Sequence, residues 1–328
     1  MINNASPSSE GIANTMQGVQ VGVLMAESNA QMVSICIPAF NAAEYLCQAV
    51  KSALSQDYSN YEILIVDNDS TDQTASLIEE LQKDNSDRIR CYKNDRNIGL
   101  VGNLNKCLEY AKGSYIKLLC ADDLLLPGCL KQMAAQLDAH RQVKLVCSSR
   151  LIIDGKGNKL AVKNYAGRNI SVPGEFVITR CLYGRNYIGE PSAVMFRKSD
   201  LKGSFRNDLP QLSDLDMWFQ LLEQGSLYSI AEPLCAIRAH AGQMTHTNIK
   251  SGSLVQDNIK LFEAYSQKPY LKPSIYMQWK HRLLMTHRVW ISRSYIEEEK
   301  REAVLAQHGC RWIYALMPIM KVFHGLRS

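Results

Sequence analysis

From Val33 to Cys147, short β-rich runs alternate with longer stretches whose apolar residues recur at helical spacing. Val33-Ser-Ile-Cys-Ile-Pro38 is followed by Leu46, Ala49, Val50, Ala53 and Leu54 at i, i+3, i+4, i+7 and i+8, so a buried strand leads into an amphipathic helix. The cycle recurs with Glu62–Val66 and a helix through Leu77, Ile78 and Leu81, then with Ile89–Tyr92 and a helix carrying Val101, Leu104, Leu108 and Ala111. A fourth unit runs from Tyr115–Leu119 to a helix after Pro127, and Val143–Cys147 supplies a fifth strand. Strands alternating with helices in this way predict βαβ units, hence a Rossmann-like α/β fold with a mainly parallel sheet and helices on both faces. Ligands of such sheets bind in the crevice at the carboxyl ends of the strands. The polar residues just after each strand are therefore the functional candidates.

Beyond Cys147 the rhythm changes. Leu151-Ile-Ile, Asp154-Gly-Lys-Gly-Asn158 and Lys159-Leu read as a hairpin with a glycine turn. Ser192–Phe196 and Leu227–Ile237 are strand candidates with a helix at Leu215–Glu223 between them, so a mixed sheet is expected in the second half. Residues 1–30, rich in Ser, Asn, Ala and Gly, read as a disordered leader, residues 31–245 as the folded body divided near residue 125, and residues 246–328 as a helical extension.

The chain of 328 residues carries a net charge of +5, and nine basic against four acidic side chains of residues 279–328 account for all of it. The rest is neutral, which argues against a nucleic-acid partner. The ten cysteines are never closer than nine positions, so no CxxC pair or zinc knuckle exists, and they read as reduced core residues of a cytoplasmic protein. No signal sequence precedes the body, and no uncharged apolar stretch approaches the ~20 residues of a membrane span. Any membrane contact is expected to be peripheral.

The strand ends carry Pro38-Ala-Phe-Asn41, Asp67-Asn-Asp-Ser-Thr-Asp72, Asp95-Arg-Asn-Ile-Gly99 and Asp122-Asp123. Adjacent carboxylates repel unless a cation or hydrogen-bond donors neutralise them. A hard divalent ion completed by phosphate oxygens and water suits Asp122 and Asp123, and so does a helix N-cap before Pro127. Capping explains Ser70 or Asp72 before the second helix but not Asp67, which follows Val66 directly. Gly189-Glu-Pro-Ser192 either shapes an acceptor pocket or is a structural turn.

Five segments, in order, resemble the inverting family 2 glycosyltransferases of the GT-A fold: Val33–Asn41, Ile65–Thr74, Asn97-Ile-Gly99, Gly113–Asp123 with Pro127, and Ser213-Asp-Leu-Asp-Met-Trp218. The resemblance spans roughly residues 32–240. It implies that Pro38, Phe40, Asn41, Asp67, Asn68, Asp69 and Asn97 surround the nucleotide, with Asp67 or its neighbour at the base. It further implies that Asp122 faces the ribose and donor sugar, that Asp123 holds Mg²⁺ or Mn²⁺ on the diphosphate, and that Asp214 is the catalytic base, supported by Asp216. Trp218 would pack beneath the base helix, and Arg238 and His240 match a segment that closes over the diphosphate. The chain departs from the family at Asn68, often Asp where a uracil is read, at Cys120, often Asp, and at Ser213, usually Glu.

The expected reaction passes a sugar from a nucleoside-diphosphate-sugar donor to an acceptor hydroxyl, of a bacterial surface glycan or its lipid-linked precursor. Two readings compete: transfer to a polyprenyl phosphate, and a catalytically silent sugar-nucleotide-binding protein. In the extension, Ile275, Trp279, Leu283, Thr286 and Trp290 fall near one helical face, and Trp312, Ala315, Leu316, Ile319, Val322 and Phe323 form a second stripe. These stripes in 253–328 predict packing on the body, self-association, or contact with the inner face of the cytoplasmic membrane.

Overall fold

The computed structural model describes residues 30–240 and 253–317. The expected leader, apart from Ala30, and the second C-terminal stripe beyond residue 317 lie outside the described residues. The cycle seen in the sequence becomes β1 (Val33–Ala39), α1 (Leu46–Leu54), β2 (Tyr61–Asp67), α2 (Thr74–Asp84), β3 (Ile89–Lys93), α3 (Gly99–Tyr110), β4 (Tyr115–Leu118), β5 (Leu124–Leu125) and α4 (Cys129–Ala139). Then follow β6 (Val143–Ile153), β7 (Lys159–Lys163), β8 (Ile170–Pro173), α5 (Gly174–Leu182), a 3-10 turn (Pro191–Ala193), β9 (Val194–Arg197), α6 (Ser213–Leu222) and β10 (Ser226–Arg238). The extension contributes α7 (Ser253–Tyr265), α8 (Ile275–Ile291) and α9 (Glu298–His308).

One ten-stranded sheet runs β3-β2-β1-β4-β9-β6-β10-β5, with β7 paired to β6 and β8 to β10. The four strands from β3 to β4 are parallel, while β9 enters antiparallel between β4 and β6. Alternate side chains feed two cores. Val33, Ile35, Ile37, Ile63 and Ile65 meet α1 and α4 on one face. Cys36, Leu64, Val66 and Leu118 meet α3, α5 and α6 on the other. This double burial is why the strands are largely apolar, with Ser34, Glu62 and Lys117 as buried polar exceptions. The β6–β7 hairpin forms as expected.

Three elements differ from the sequence reading. Helix α5 and strand β8 lie outside the expected elements: β8 is only four residues long, and α5 opens on Gly174 directly after Pro173, without a strong period of its own. Helix α8 buries His281, Met285, Thr286 and Val289, so of the expected stripe Thr286 is buried and Leu283 and Trp290 are half-buried, while Ile275 and Trp279 are 84% and 50% exposed. The reason is contact with α7, where the His281 ring stacks on Phe262 with centroids 4.1 Å apart. The extension also shares the core of the body, since Leu261 and Tyr265 of α7 join the cluster built on α3, α5 and α6.

Candidate active site

The carboxyl ends of β1 and β2 open the crevice. Beyond β1 the chain turns through Asn41 in the left-handed region (φ 47°), leaving Phe40 45% exposed at the rim. Pro38 is buried inside β1 and offers no polar group to a ligand. Asn41 ties two loops together, its N–H donating to Ser70 Oγ and its Oδ1 accepting from Thr71 N–H. At the end of β2, Asp67 Oδ1 accepts from the Ser70 N–H and hydroxyl, while buried Oδ2 has no partner among the described residues. Asp72, not Ser70, serves the start of α2, accepting from Thr74 N–H. Asp69, also left-handed (φ 61°), lies at the surface 3.6 Å from Lys93 Nζ.

Asn68 is 2% exposed and fully committed: its amide donates to Asn97 Oδ1 and Gly99 O and accepts from Asn94 Nδ2 and Ile98 N–H. Asn103 extends this network, accepting from Asn94 and donating to Val66 O. Asn94 and Asn103 escaped the sequence reading. An Asn among the apolar positions of α3 is the signal that would have found the second.

Beyond β4 the chain tightens, with Asp123 N–H donating to Cys120 O. Asp123 is thereby turned inward, 3% exposed, with Oδ2 accepting from the Ser192 hydroxyl at 2.6 Å and Oδ1 from the Arg238 N–H at 2.9 Å. Burial and the adjacent Asp122 charge hold its carboxyl well above the ordinary range. Asp122 keeps 29% of its side-chain surface, and its Oδ2 lies 3.0 Å from His240 Nε2. One ligand atom each of Cys120, Asp122 and Asp123 fall within 4.8 Å of one another. Two carboxylates and a thiol so close, one carboxylate resisting ionisation, have the donor set and the excess negative field that a divalent cation relieves. Burial first, then the charges of Asp123, Asp122 and Asp214, push the Cys120 thiol well up.

Ser192, the last residue of the Gly189–Ser192 segment read as an acceptor-pocket element or a structural turn, is central to this arrangement. Its Oγ accepts from Cys120 N–H, and its carbonyl accepts from Lys117 Nζ at 2.6 Å. Lys117 is wholly buried on β4, and a lysine within Tyr-Ile-Lys-Leu-Leu was its visible signal. Arg238, 1% exposed, donates from Nε to Asp122 O, from Nη1 to Gly155 O and from Nη2 to Gln48 Oε1, with its guanidinium 4.4 Å over the Tyr45 ring. The residue expected at the diphosphate therefore braces the 122–123 turn. Residues 241–243 of that segment lie outside the described residues.

Asp214 stands in the first turn of α6. Burial pushes its pKa up to about 7 against the pull of the Leu215 N–H, with the Glu190 charge adding to the rise. Desolvation outweighs the favourable helix N-terminus here. A carboxylate near neutrality is suited to take a proton from a hydroxyl. Trp218 is fully buried beneath the helix against Phe196 and Phe205. Asp216 accepts from Gln220 Nε2 and from the Tyr265 hydroxyl of α7. The N–H groups of Gln211 and Leu212, at the entry to α6, donate to Asp257 Oδ2 of α7 at 2.6 and 3.1 Å. No residue beyond 250 was expected to support the base.

Known proteins resemble this arrangement in sequence and in fold. The family model described as glycosyl transferase family 2 matches residues 34–205. A putative glycosyltransferase, EpsE of Bacillus subtilis, is 31% identical over 217 residues, 63% of this chain and 72% of its own. A GalNAc(5)-diNAcBac-PP-undecaprenol beta-1,3-glucosyltransferase of Campylobacter jejuni is 30% identical over 198 residues, 60% of this chain and 61% of its own. Among solved structures, TarS of S. aureus with UDP-GlcNAc superposes with TM-score 0.54 at 17% identity, covering 83% of each chain. The mannosyltransferase PcManGT of Pyrobaculum calidifontis with GDP-Man and Mn²⁺ gives 0.56 at 18% identity, covering 90% of this chain and 81% of its own. These structural likenesses establish a GT-A-like fold. With its strand-end carboxylates, its sheet order and more than half its length matched, the chain belongs to glycosyl transferase family 2.

Proposed function

We propose that the protein is an inverting, metal-dependent glycosyltransferase that moves a sugar from a nucleoside diphosphate to an acceptor hydroxyl. The observation that carries this reading is Asp214: a carboxylate held near neutrality, set apart from the Cys120–Asp122–Asp123 group yet close enough for its charge to act on Cys120. Inversion needs one base on the attacking hydroxyl and no acid partner, because a diphosphate is already a good leaving group.

Asp67, with its unsatisfied Oδ2, is the group offered to the base, and Phe40 at the rim offers a stacking face. Asn41, Asn68 and Asn97 hold the loops that shape this pocket, and Asp69 lies at its edge. The expected division between the paired carboxylates is best reversed. Asp122, partly exposed and steadied by His240, is the outward ligand, while Asp123 anchors the turn from within. A Mg²⁺ or Mn²⁺ ion bound there would neutralise charge developing on the leaving diphosphate. Asp214 then takes the proton of the acceptor hydroxyl as it attacks the anomeric carbon and the nucleoside diphosphate leaves.

Support for the donor class comes from the UDP-GlcNAc and GDP-Man bound by the two structural neighbours, and for a lipid-linked glycan acceptor from the name of the Campylobacter relative. No helix of the described residues is long and apolar enough to cross a membrane. A role in bacterial surface-glycan synthesis at the cytoplasmic face of the inner membrane, reached through the outer face of the C-terminal helices, completes the proposal. The test is nucleoside diphosphate release from a panel of sugar nucleotides with Mn²⁺. Turnover by the wild type that disappears in Asp214→Asn and Asp122→Ala supports it. Equal release by wild type and variants refutes it, and full turnover by Asp214→Asn with a polyprenyl phosphate acceptor would favour that alternative chemistry.

A further inference from the structure

Glu190 belongs to the crevice but has no part in the roles above. It precedes the 3-10 turn whose Ser192 supports Asp123. Its Oε2 is buried against Nε of Arg150 on β6. Arg150 is 4% exposed, and its Nη1 has no hydrogen-bond acceptor among the described residues. The Glu190 side chain nevertheless keeps 38% of its surface, and since Oε2 is buried, Oε1 is the oxygen that faces out. The backbone fixes it there. Gly189 has φ 134°, and a Cβ in its place would lie 2.8 Å from Ala193 Cβ and 3.3 Å from the Arg150 guanidinium carbon. Asn186 clamps the same residue, accepting from its N–H and donating to its carbonyl at 3.0 Å each.

An arginine buried against a single carboxylate adds little stability, and an apolar side chain of similar volume would commonly serve as well. What the pair does provide is a carboxylate oxygen held at a fixed point that accepts from no protein group among the described residues. Glu190 stands two residues before Ser192, whose hydroxyl donates to Asp123, and behind burial its charge raises the Asp214 carboxyl as well. In a displacement reaction the sugar ring occupies the space between the leaving phosphate and the base, so a side chain bordering both centres borders that ring.

We propose that Glu190 Oε1 accepts a hydrogen bond from a hydroxyl of the transferred sugar and thereby selects the donor, with Arg150 as its positioning residue. The proposal rests on the glycosyltransferase reading. An ionised carboxylate can only accept, so the site demands a sugar with a donor group at that position and rejects the corresponding deoxy analogue, which would leave the carboxylate unsatisfied.

Calorimetric dissociation constants for a nucleoside diphosphate, its sugar conjugate and a series of monodeoxy conjugates, each with Mn²⁺, test this on wild type, Glu190→Gln and Glu190→Asp. Glutamine turns its oxygen to Arg150 and its NH₂ to the crevice, and aspartate keeps the charge on Arg150 but withdraws the oxygen by one methylene, so the second variant guards against misfolding in the first. The ratio of conjugate to free-diphosphate affinity is expected to fall about 10- to 100-fold in both variants for the accepted sugar. For the one deoxy conjugate that lacks the recognised hydroxyl, the ratio should be unchanged by either substitution. A ratio unaffected by either substitution for the accepted sugar, or lowered equally for every conjugate, overturns the proposal and leaves the transferase reading intact. A wild type without affinity for any nucleoside diphosphate overturns both.

Discussion

The two acidic centres of the crevice are built from different parts of the chain. Asp122 and Asp123 leave a strand and are braced by the ends of strands: Ser192 before β9, the Arg238 N–H that ends β10, and His240 just beyond it. Asp214 rides on a helix whose entry is held by Asp257 and whose Asp216 meets Tyr265, both on α7. The first centre is fixed by the α/β body, the second by a helix well past the family match at residues 34–205. The C-terminal helices are therefore part of the framework that holds Asp214 in place, and a truncation after β10 would remove more than an appendage.

The sharpest way to separate the centres is to remove the base while leaving the donor site whole. Asp214→Asn is expected to lower kcat by about 10²- to 10⁴-fold with nucleotide affinity retained, which calorimetry and initial rates would establish. The pH dependence follows from the raised pKa of about 7. The base acts when ionised, so kcat/KM of the free enzyme should climb through neutrality. Stability runs the other way. A carboxyl whose folded pKa exceeds its unfolded value of about 3.9 binds more protons in the folded state between the two, so stability declines as pH rises from about 4 to 7. Melting curves should show the wild type losing Tm across that interval relative to Asp214→Asn. Parallel curves would mean that Asp214 does not ionise there.

Next in size is the contrast within the strand-end pair. Asp122→Ala should weaken Mn²⁺ binding at least about tenfold, read by titration calorimetry. Ser192→Ala, which strips a donor from buried Asp123, should instead destabilise by about 1–3 kcal/mol. If Ser192→Ala were the variant that lost the metal and Asp122→Ala kept it, the inner carboxylate would be the ligand after all.

The sequence made the strand-end centre legible because its parts are local: an apolar strand, then polar residues, then a helix, with Phe40, Asp67 and the 122–123 pair each at or shortly after the end of a strand. It also placed a helix at Leu215–Glu223, whose observed start at Ser213 takes in Asp214, and the resemblance put Trp218 beneath it. What it could not carry were partners brought from afar. Asp257 lies 45 and 46 residues from the N–H groups it caps. Lys117 and Ser192 are 75 residues apart. Nor could periodicity choose between neighbouring stripes of α8, because the ring of Phe262 on α7 decides that His281 faces inward. Asn68 looked like a base-reading residue for a similar reason: its saturation by Asn94, Asn97 and two backbone groups depends on the 94–99 loop, 26 to 31 residues further on.

Asp257 is the direct test of the extension's role. Asp257→Ala strips the acceptor from two N–H groups at the entry to α6 and should cost about 1–2 kcal/mol, with kcat falling roughly tenfold if the helix start shifts. Asp257→Asn retains an acceptor oxygen and should recover most of both. A stability loss without any change in kcat would confine the residue to folding and dissolve the contrast between the two centres.

The smallest effect concerns the opposite side of the same helices. Ile275, Tyr276 and Trp279 of α8 are exposed while His281, Met285 and Val289 are buried, so one helix supports the body inward and presents apolar surface outward. The surplus basic charge of the chain falls within residues 279–328. Aromatic groups beside positive charge suit an anionic leaflet, where rings sit at the headgroups and Lys and Arg pair with lipid. Trp279→Ser should leave stability within about 0.5 kcal/mol, because the ring is half-exposed, and should reduce retention on anionic vesicles about three- to tenfold. Neutral vesicles should retain neither protein. Unchanged retention on anionic vesicles would show that this outward face is not what meets the lipid, and the C-terminal helices would then differ from the body only in what they do for the base.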